Sequence, residues 1–257
     1  MIPLIKSIIM TLLISSLFGD QHYVDVLGIA QDGGAPHAGC EKRCFIDLWE
    51  SGKKEKVSSI GIVHSLTKQS WLFDATPDFP SQYRIITENH STGLVGIFLT
   101  HAHMGHYTGL FHLEREVTGK KNVPAYVMLK MKRFLEKNGP WSQLITLKNI
   151  NLKLIENNKD IKIGEQLFIE PFLVPHRDEC FETVGYRIIG NEKSLAFIPD
   201  IDKWEKWHGS IFQLVLNADI LLLDWTFFSQ NEIPHRNMAE IPHPFIIESM
   251  EALSELN

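Results

Sequence analysis

Several features that would point elsewhere are missing from this 257-residue chain. It has only three cysteines, Cys40, Cys44 and Cys180, too few for a disulfide framework and with one left over if two pair. No run of lysines or arginines occurs, and with a net charge of -6 and a pI near 6.0 the chain has no general attraction for nucleic acid. The apolar run at 7–18 falls short of the roughly 20 residues that span a bilayer. The glycine-rich loop Gln31-Asp-Gly-Gly-Ala-Pro36 lacks the Gly-x-Gly-x-x-Gly spacing and does not pass at once into a helix, which removes a dinucleotide-binding reading. No repeat is visible at the residue level.

What is present suggests a different chemistry. At 44% hydrophobic the chain can bury a large core, and its length fits one large α/β domain better than two small ones. Twelve histidines are many for this length, and much of the excess falls at loop positions after apolar runs. The densest group is His101-Ala-His103-Met-Gly-His106, directly after the apolar run 94–100, which reads as a buried strand. With strand alternation His101 and His103 project to one side and can reach one metal ion. His106 follows a turn at Gly105 and opens an expected helix at 106–117, so it leaves in another direction and can serve a neighbouring ion. The helical zinc-protease motif, two histidines four apart with a glutamate between, is a different arrangement. The competing reading is three unconnected histidines on a loop or in a core.

Residues 1–18 carry one positive charge and then the short apolar run, ending at Gly19-Asp20; this suits a secretory signal peptide over 1–19 and an exported protein, periplasmic or secreted. A first strand or a membrane-associated segment is the alternative, which would leave the protein cytoplasmic. Thereafter strands are expected at 23–30, 58–64, 69–74, 94–100, 123–128, 151–156, 166–174, 183–189, 194–198 and 218–224. Helices are expected at 44–52, 79–89, 106–117, 129–138, 203–217 and 244–256. Strands, a helix pair, strands and a helix pair suggest two sheets face to face with helices outside.

The histidine stretch resembles the His-x-His-x-Asp-His signature of the metallo-β-lactamase superfamily, with Gly105 where an aspartate is usual. Leu27-Gly-Ile-Ala-Gln-Asp-Gly-Gly34, Phe73-Asp-Ala-Thr-Pro-Asp78, Pro175-His-Arg-Asp-Glu179 and Leu223-Asp224 are similar to the coenzyme PQQ synthesis protein B group within it. The resemblance implies a single four-layer αββα sandwich over 20–257. It implies His101, His103 and His176 for a first ion, and His106, Asp200 and His243 for a second, with Asp200 shared. Read alone, His176 would be a structural histidine and Asp200 a helix cap. His235 rivals His243, which is preferred because Pro244 starts a helix and fixes its geometry. Asp74 or Asp78 is placed to orient a ligand histidine, and Asp78 also suits an N-cap.

These donors suit zinc, one or two ions, with iron or manganese as alternatives. Glycine at 105 removes a ligand and a negative charge, so a weaker second ion or a mononuclear site is expected. The related proteins carry a cysteine-rich loop that can bind a structural zinc; here Cys40, Cys44 and His37 occupy it, with a Cys40–Cys44 disulfide as the alternative. The function implied is hydrolysis of an ester, phosphodiester or related small-molecule bond by metal-bound hydroxide, with Asp200 positioning the nucleophile. Arg177 and Tyr107 are candidates for holding an anionic substrate. The alternatives are a metal-dependent oxidative enzyme of the PQQ synthesis protein B kind and a non-catalytic ligand-binding protein that kept the fold.

Overall fold

Alternation along the strands sorts the apolar side chains onto opposite faces. In β2 (Ser59–His64) Ile60 and Ile62 face one way and Val63 the other; in β3 (Gln69–Phe73) Trp71 and Phe73 oppose Leu72. Each sheet therefore has two apolar faces to cover, and the answer is four layers. The computed structural model describes residues 22–177, 181–232, 237–241 and 243–254. The expected signal peptide, Cys180 and His235 lie outside the described residues.

The first sheet runs β1 (His22–Gly28), β2, β3, β4 (Gly93–Phe98), β5 (Val123–Val127), β6 (Ile150–Leu154) in spatial order. The first two pairings are antiparallel and the last three parallel. Parallel neighbours need crossovers, and these supply the helices of one outer layer: α2 (Phe79–Arg84), α3 (Met104–Tyr107), α4 (Leu129–Lys137) and α5 (Trp141–Thr146). The separate helix α1 (Arg43–Ser51) lies between β1 and β2 in the chain and buries none of its residues. The second sheet is ordered β11 (Ile220–Leu223), β10 (Ser194–Ile198), β9 (Thr183–Ile189), β8 (Leu167–Val174), β7 (Ile161–Gly164), with α6 (Ile211–Asn217) between β10 and β11 in the chain and α7 (Ile246–Ser254) after β11.

Three apolar clusters fill the three interfaces. Leu72, Ile97 and Val127 meet Phe79, Leu110 and Leu135 of the helical layer. Ile62, Phe73 and Phe98 meet Ile169, Tyr186 and Phe197 between the sheets. Ala196 and Ile198, on the other face of β10, pack with Leu214 of α6. This is the αββα sandwich expected from the sequence.

Several boundaries differ for identifiable reasons. The helix expected at 106–117 is α3 followed by a 3₁₀ segment, Thr108–Leu113. Its peptide groups are diverted: the His106 carbonyl accepts from the Ala75 N–H and the Gly109 N–H donates to the Ala75 carbonyl, both at 2.8 Å, so the α-helical ladder is not continued. The helix expected at 203–217 is broken after a 3₁₀ turn at Trp204–Lys206, and α6 restarts where the Ser210 hydroxyl accepts from the Phe212 N–H. Helix α2 is prolonged by a π turn over Ile85–Asn89. Strand β7 and helix α5, short segments without a clear period, were not expected. No helix among the described residues is long and apolar enough to cross a membrane.

Candidate metal centre

Strand β4 runs out of the first sheet through Leu99 and Thr100 into His101, which is 2% exposed. Just before it in space, β3 ends at Asp74, a non-glycine residue in left-handed backbone (φ 65°) and wholly buried. Such a conformation persists where surrounding bonds fix it: the Asp74 N–H donates to the Phe98 carbonyl at 2.8 Å, and its carboxylate accepts from the Thr100 N–H at 2.8 Å. The Thr100 hydroxyl lies 2.9–3.0 Å from the same carboxylate and 2.9 Å from His101 Nδ1. A carboxylate can only accept, so the hydroxyl donates to it and must accept from His101 Nδ1–H. His101 is thereby held in the tautomer with a bare Nε2. The same Asp74 lies 2.7 Å from His106 Nδ1 and accepts its N–H.

The Nε2 atom of His101 is buried and has no hydrogen-bond partner. Leaving such an atom unpaired costs about 1–3 kcal/mol, so the arrangement makes sense around a cation. The second sheet supplies the rest: His176 follows β8, Asp200 follows β10, and His243 precedes α7. Ligand atoms of His101, His103 and His176 all lie within 4.8 Å of one another, as do those of His101, His106 and Asp200, and those of His176, Asp200 and His243. His176 Nε2 is 3.2 Å from His103 Nδ1, and Asp200 Oδ2 is 2.7 Å from His106 Nε2. The structure thus gathers all six residues expected as ligands in one cluster, although His106, Asp200 and His243, expected around the second ion, do not themselves form one of these close groups; imidazoles with one carboxylate fit zinc.

Charge divides the six into two kinds. Burial, reinforced by the neighbouring imidazoles, pushes His101 well below the ordinary histidine value and lowers His103, so both are neutral. Burial also opposes a charge on His106, but Asp74 and Asp200 outweigh it and raise that ring well above its ordinary value. His243 is likewise raised, burial being outweighed by Asp224, whose Oδ2 sits 2.5 Å from Nδ1.

Four polar residues around the cluster were not assigned by sequence reasoning. Thr100 sets the tautomer of His101. Asp202 Oδ1 is 3.4 Å from His176 Nδ1. Asp224 accepts from His243 and from the Ile201 N–H at 3.2 Å. Asp32, in the loop after β1, places Oδ1 2.9 Å from His106 Nε2. Asp202 and Asp224 follow strand ends, as the ligands do, and that was the available signal. Asp32 was hidden in a loop that reads as a glycine turn.

Other expectations are not met. Tyr107 does not reach the site: it is 5% exposed and packs edge-on against Phe134 and Trp141 in the helical layer, because its direction from α3 is opposite to that of His106. Asp78 orients no histidine; its carboxylate accepts from the Val57 N–H at 2.9 Å and pairs with Lys54. Asp78 does take the N-cap position of α2, but without a side-chain cap bond. Cys40 and Cys44 are free, and with His37 they are not among the groups close enough to share an ion among the described residues. His37 instead packs on Phe45. Arg177 does border the site, with Nη2 donating to the Glu240 carbonyl at 3.1 Å. A cleft of about 310 Å³ opens over the cluster, lined by Gln31, Asp32, His37, His103, Arg177 and His243 among others.

A family model described as beta-lactamase superfamily domain matches residues 70–257. None of the curated proteins compared matches the sequence. Among solved structures, the Zn(2+)-bound PqqB from Methylobacterium extorquens superposes with a TM-score of 0.71 at 20% identity, covering 89% of this chain and 84% of that one. A diphosphatase from the PhnP family gives 0.64 at 22%, covering 92% and 82%. The short form of human tRNase Z gives 0.56 at 14%, covering 90% and 87%. At these identities the likeness is one of fold.

Proposed function

The chain belongs to the beta-lactamase superfamily, and from that membership we propose that it is a metal-dependent hydrolase of an ester, phosphodiester or related small-molecule bond. The observation that carries the reading is the set of three overlapping ligand groups, with the buried Nε2 of His101 left without a hydrogen-bond partner. His101, His103 and His176 would hold one ion, and His106, Asp200 and His243 the other. Zinc bound there supplies a Lewis acid and lowers the pKa of water toward neutrality.

The remaining work falls to the protein. Asp200, 3% exposed and within reach of both histidine groups, holds the attacking water in line and accepts its proton at a carboxylate oxygen. Arg177, on the cleft wall, draws in an anionic part of the substrate, and Gln31 and His37 bound the same space. Asp74, Asp202 and Asp224 keep the imidazoles oriented as the substrate arrives.

The test is metal analysis of protein purified without added metal, together with phosphodiester and ester turnover by wild type and His103→Ala. About two zinc ions per chain, with turnover lost in the variant, is the expected result. Absence of metal with activity unchanged in His103→Ala would overturn the reading, and redox-active iron would move the chemistry to the oxidative alternative.

A further inference from the structure

The structure points to Asp32 as a carboxylate ligand of the second ion, reaching the site from the loop after β1 and occupying the volume that a side chain at position 105 would need; we propose this assignment, which rests on reading the cluster as a metal centre.

Three observations carry it. The first is an excess of acceptors at His106. Its Nδ1–H is committed to the buried Asp74 carboxylate at 2.7 Å, so Nε2 is the ring atom left to face the site. Two carboxylate oxygens face that atom, Asp200 Oδ2 at 2.7 Å and Asp32 Oδ1 at 2.9 Å. A proton on Nε2 or a cation must lie among these atoms, and a divalent ion that displaces the proton would meet carboxylate oxygen as well as imidazole nitrogen.

The second is the reciprocity of positions 32 and 105. A Cβ on Gly105 would lie 2.6 Å from Asp32 Cγ and Oδ1 and 2.8 Å from Asp32 Cα. Because a backbone atom is among those struck, rotating the Asp32 side chain does not relieve the overlap. A side chain at 105 and an aspartate at 32 exclude each other, and the glycine is what admits the aspartate. The negative charge missing from the histidine stretch is returned from another strand end.

The third is that Asp32 is held in place. Ala30 pairs with Val57, and Ala35 exchanges backbone hydrogen bonds with Glu55 at 3.1 and 2.7 Å. Gly34 N–H donates to the Gln31 carbonyl at 2.7 Å, closing the turn around Asp32. The Gln31 amide donates to the Thr226 hydroxyl, which donates to Asp224, the carboxylate on His243. The loop is therefore tied to a ligand of the same ion through a continuous chain of hydrogen bonds.

The experiment is zinc titration of the chelator-stripped full chain by calorimetry, with wild type, Asp32→Ala and Asp32→Asn. Wild type is expected to take two zinc ions per chain. Both variants at 32 should keep the tighter ion and bind the other at least about tenfold more weakly. Two ions bound with wild-type affinity by Asp32→Ala and Asp32→Asn would overturn the assignment and leave the metal centre standing. No zinc bound by wild type would overturn the metal centre itself.

Discussion

The Asp74 carboxylate, buried at the end of β3, accepts from His106 directly and from His101 through the Thr100 hydroxyl, so one side chain orients a proposed ligand of each ion. Asp74→Asn keeps the volume but presents an N–H to one of its donors. It is expected to weaken zinc binding about 10–100-fold at both ions, as measured by titration. The protonation of the ligands adds a pH signature. His101 and His103 are lowered from 6.5 and are already neutral above it, whereas His106 and His243 are raised above 6.5 and must lose protons before they can ligate. From pH 6.5 upward, affinity for the first ion should stay nearly flat while affinity for the second climbs. Titrations in buffers of increasing pH give both values. These residues also show what a sequence discloses. The histidines at 101, 103 and 106 were legible as a dense group after an apolar run, although β4 ends at Phe98 and His103 caps α3 rather than continuing the strand. Asp74 was legible as one of two acids in a turn. Asp224 and Asp32 were not assigned, because their roles depend on which loops meet across the molecule, and no local period encodes that.

The elements that meet here are short and end abruptly at the site. α3 is bound to the Asp74 turn by two backbone hydrogen bonds and by close approach at Gly109, where a Cβ would lie 2.2 Å from the Thr76 carbonyl oxygen. Gly109→Ala is thus expected to cost about 1–3 kcal/mol in stability and to lower metal content, because the strain is relieved by moving His106. Thermal melting and metal analysis of the variant check both effects. The same contacts explain why a helix at 106–117 was expected and a 3₁₀ segment is found. Apolar spacing at Leu110 and Leu113 reports burial, which is correct, but it cannot report that the backbone groups are taken by a neighbouring turn. The strands of the two sheets were mostly legible for the opposite reason: apolar runs coincide with near-continuous burial in β4, β9 and β10.

At the scale of the whole molecule the ligands are divided between the sheets: His101, His103 and His106 follow the first, and His176, Asp200 and His243 belong to the second. Near the site the sheets are joined by the Tyr186 hydroxyl, which donates to the Leu99 carbonyl at 2.6 Å, two residues before His101. Tyr186→Phe leaves that carbonyl unpaired and is expected to destabilise the protein by about 1–3 kcal/mol in denaturant unfolding. Because bound ions would link the two halves, chelation should lower the melting midpoint and zinc should restore it in a concentration-dependent way. The central claim is that the two sheets share one dinuclear site. Anomalous diffraction at the zinc edge from crystals of the zinc-loaded protein tests it most directly. Two peaks per chain are expected, one enclosed by His101, His103 and His176 and the other by His106, Asp200, His243 and Asp32. Crystals with full zinc occupancy elsewhere and no peak among these residues would contradict it.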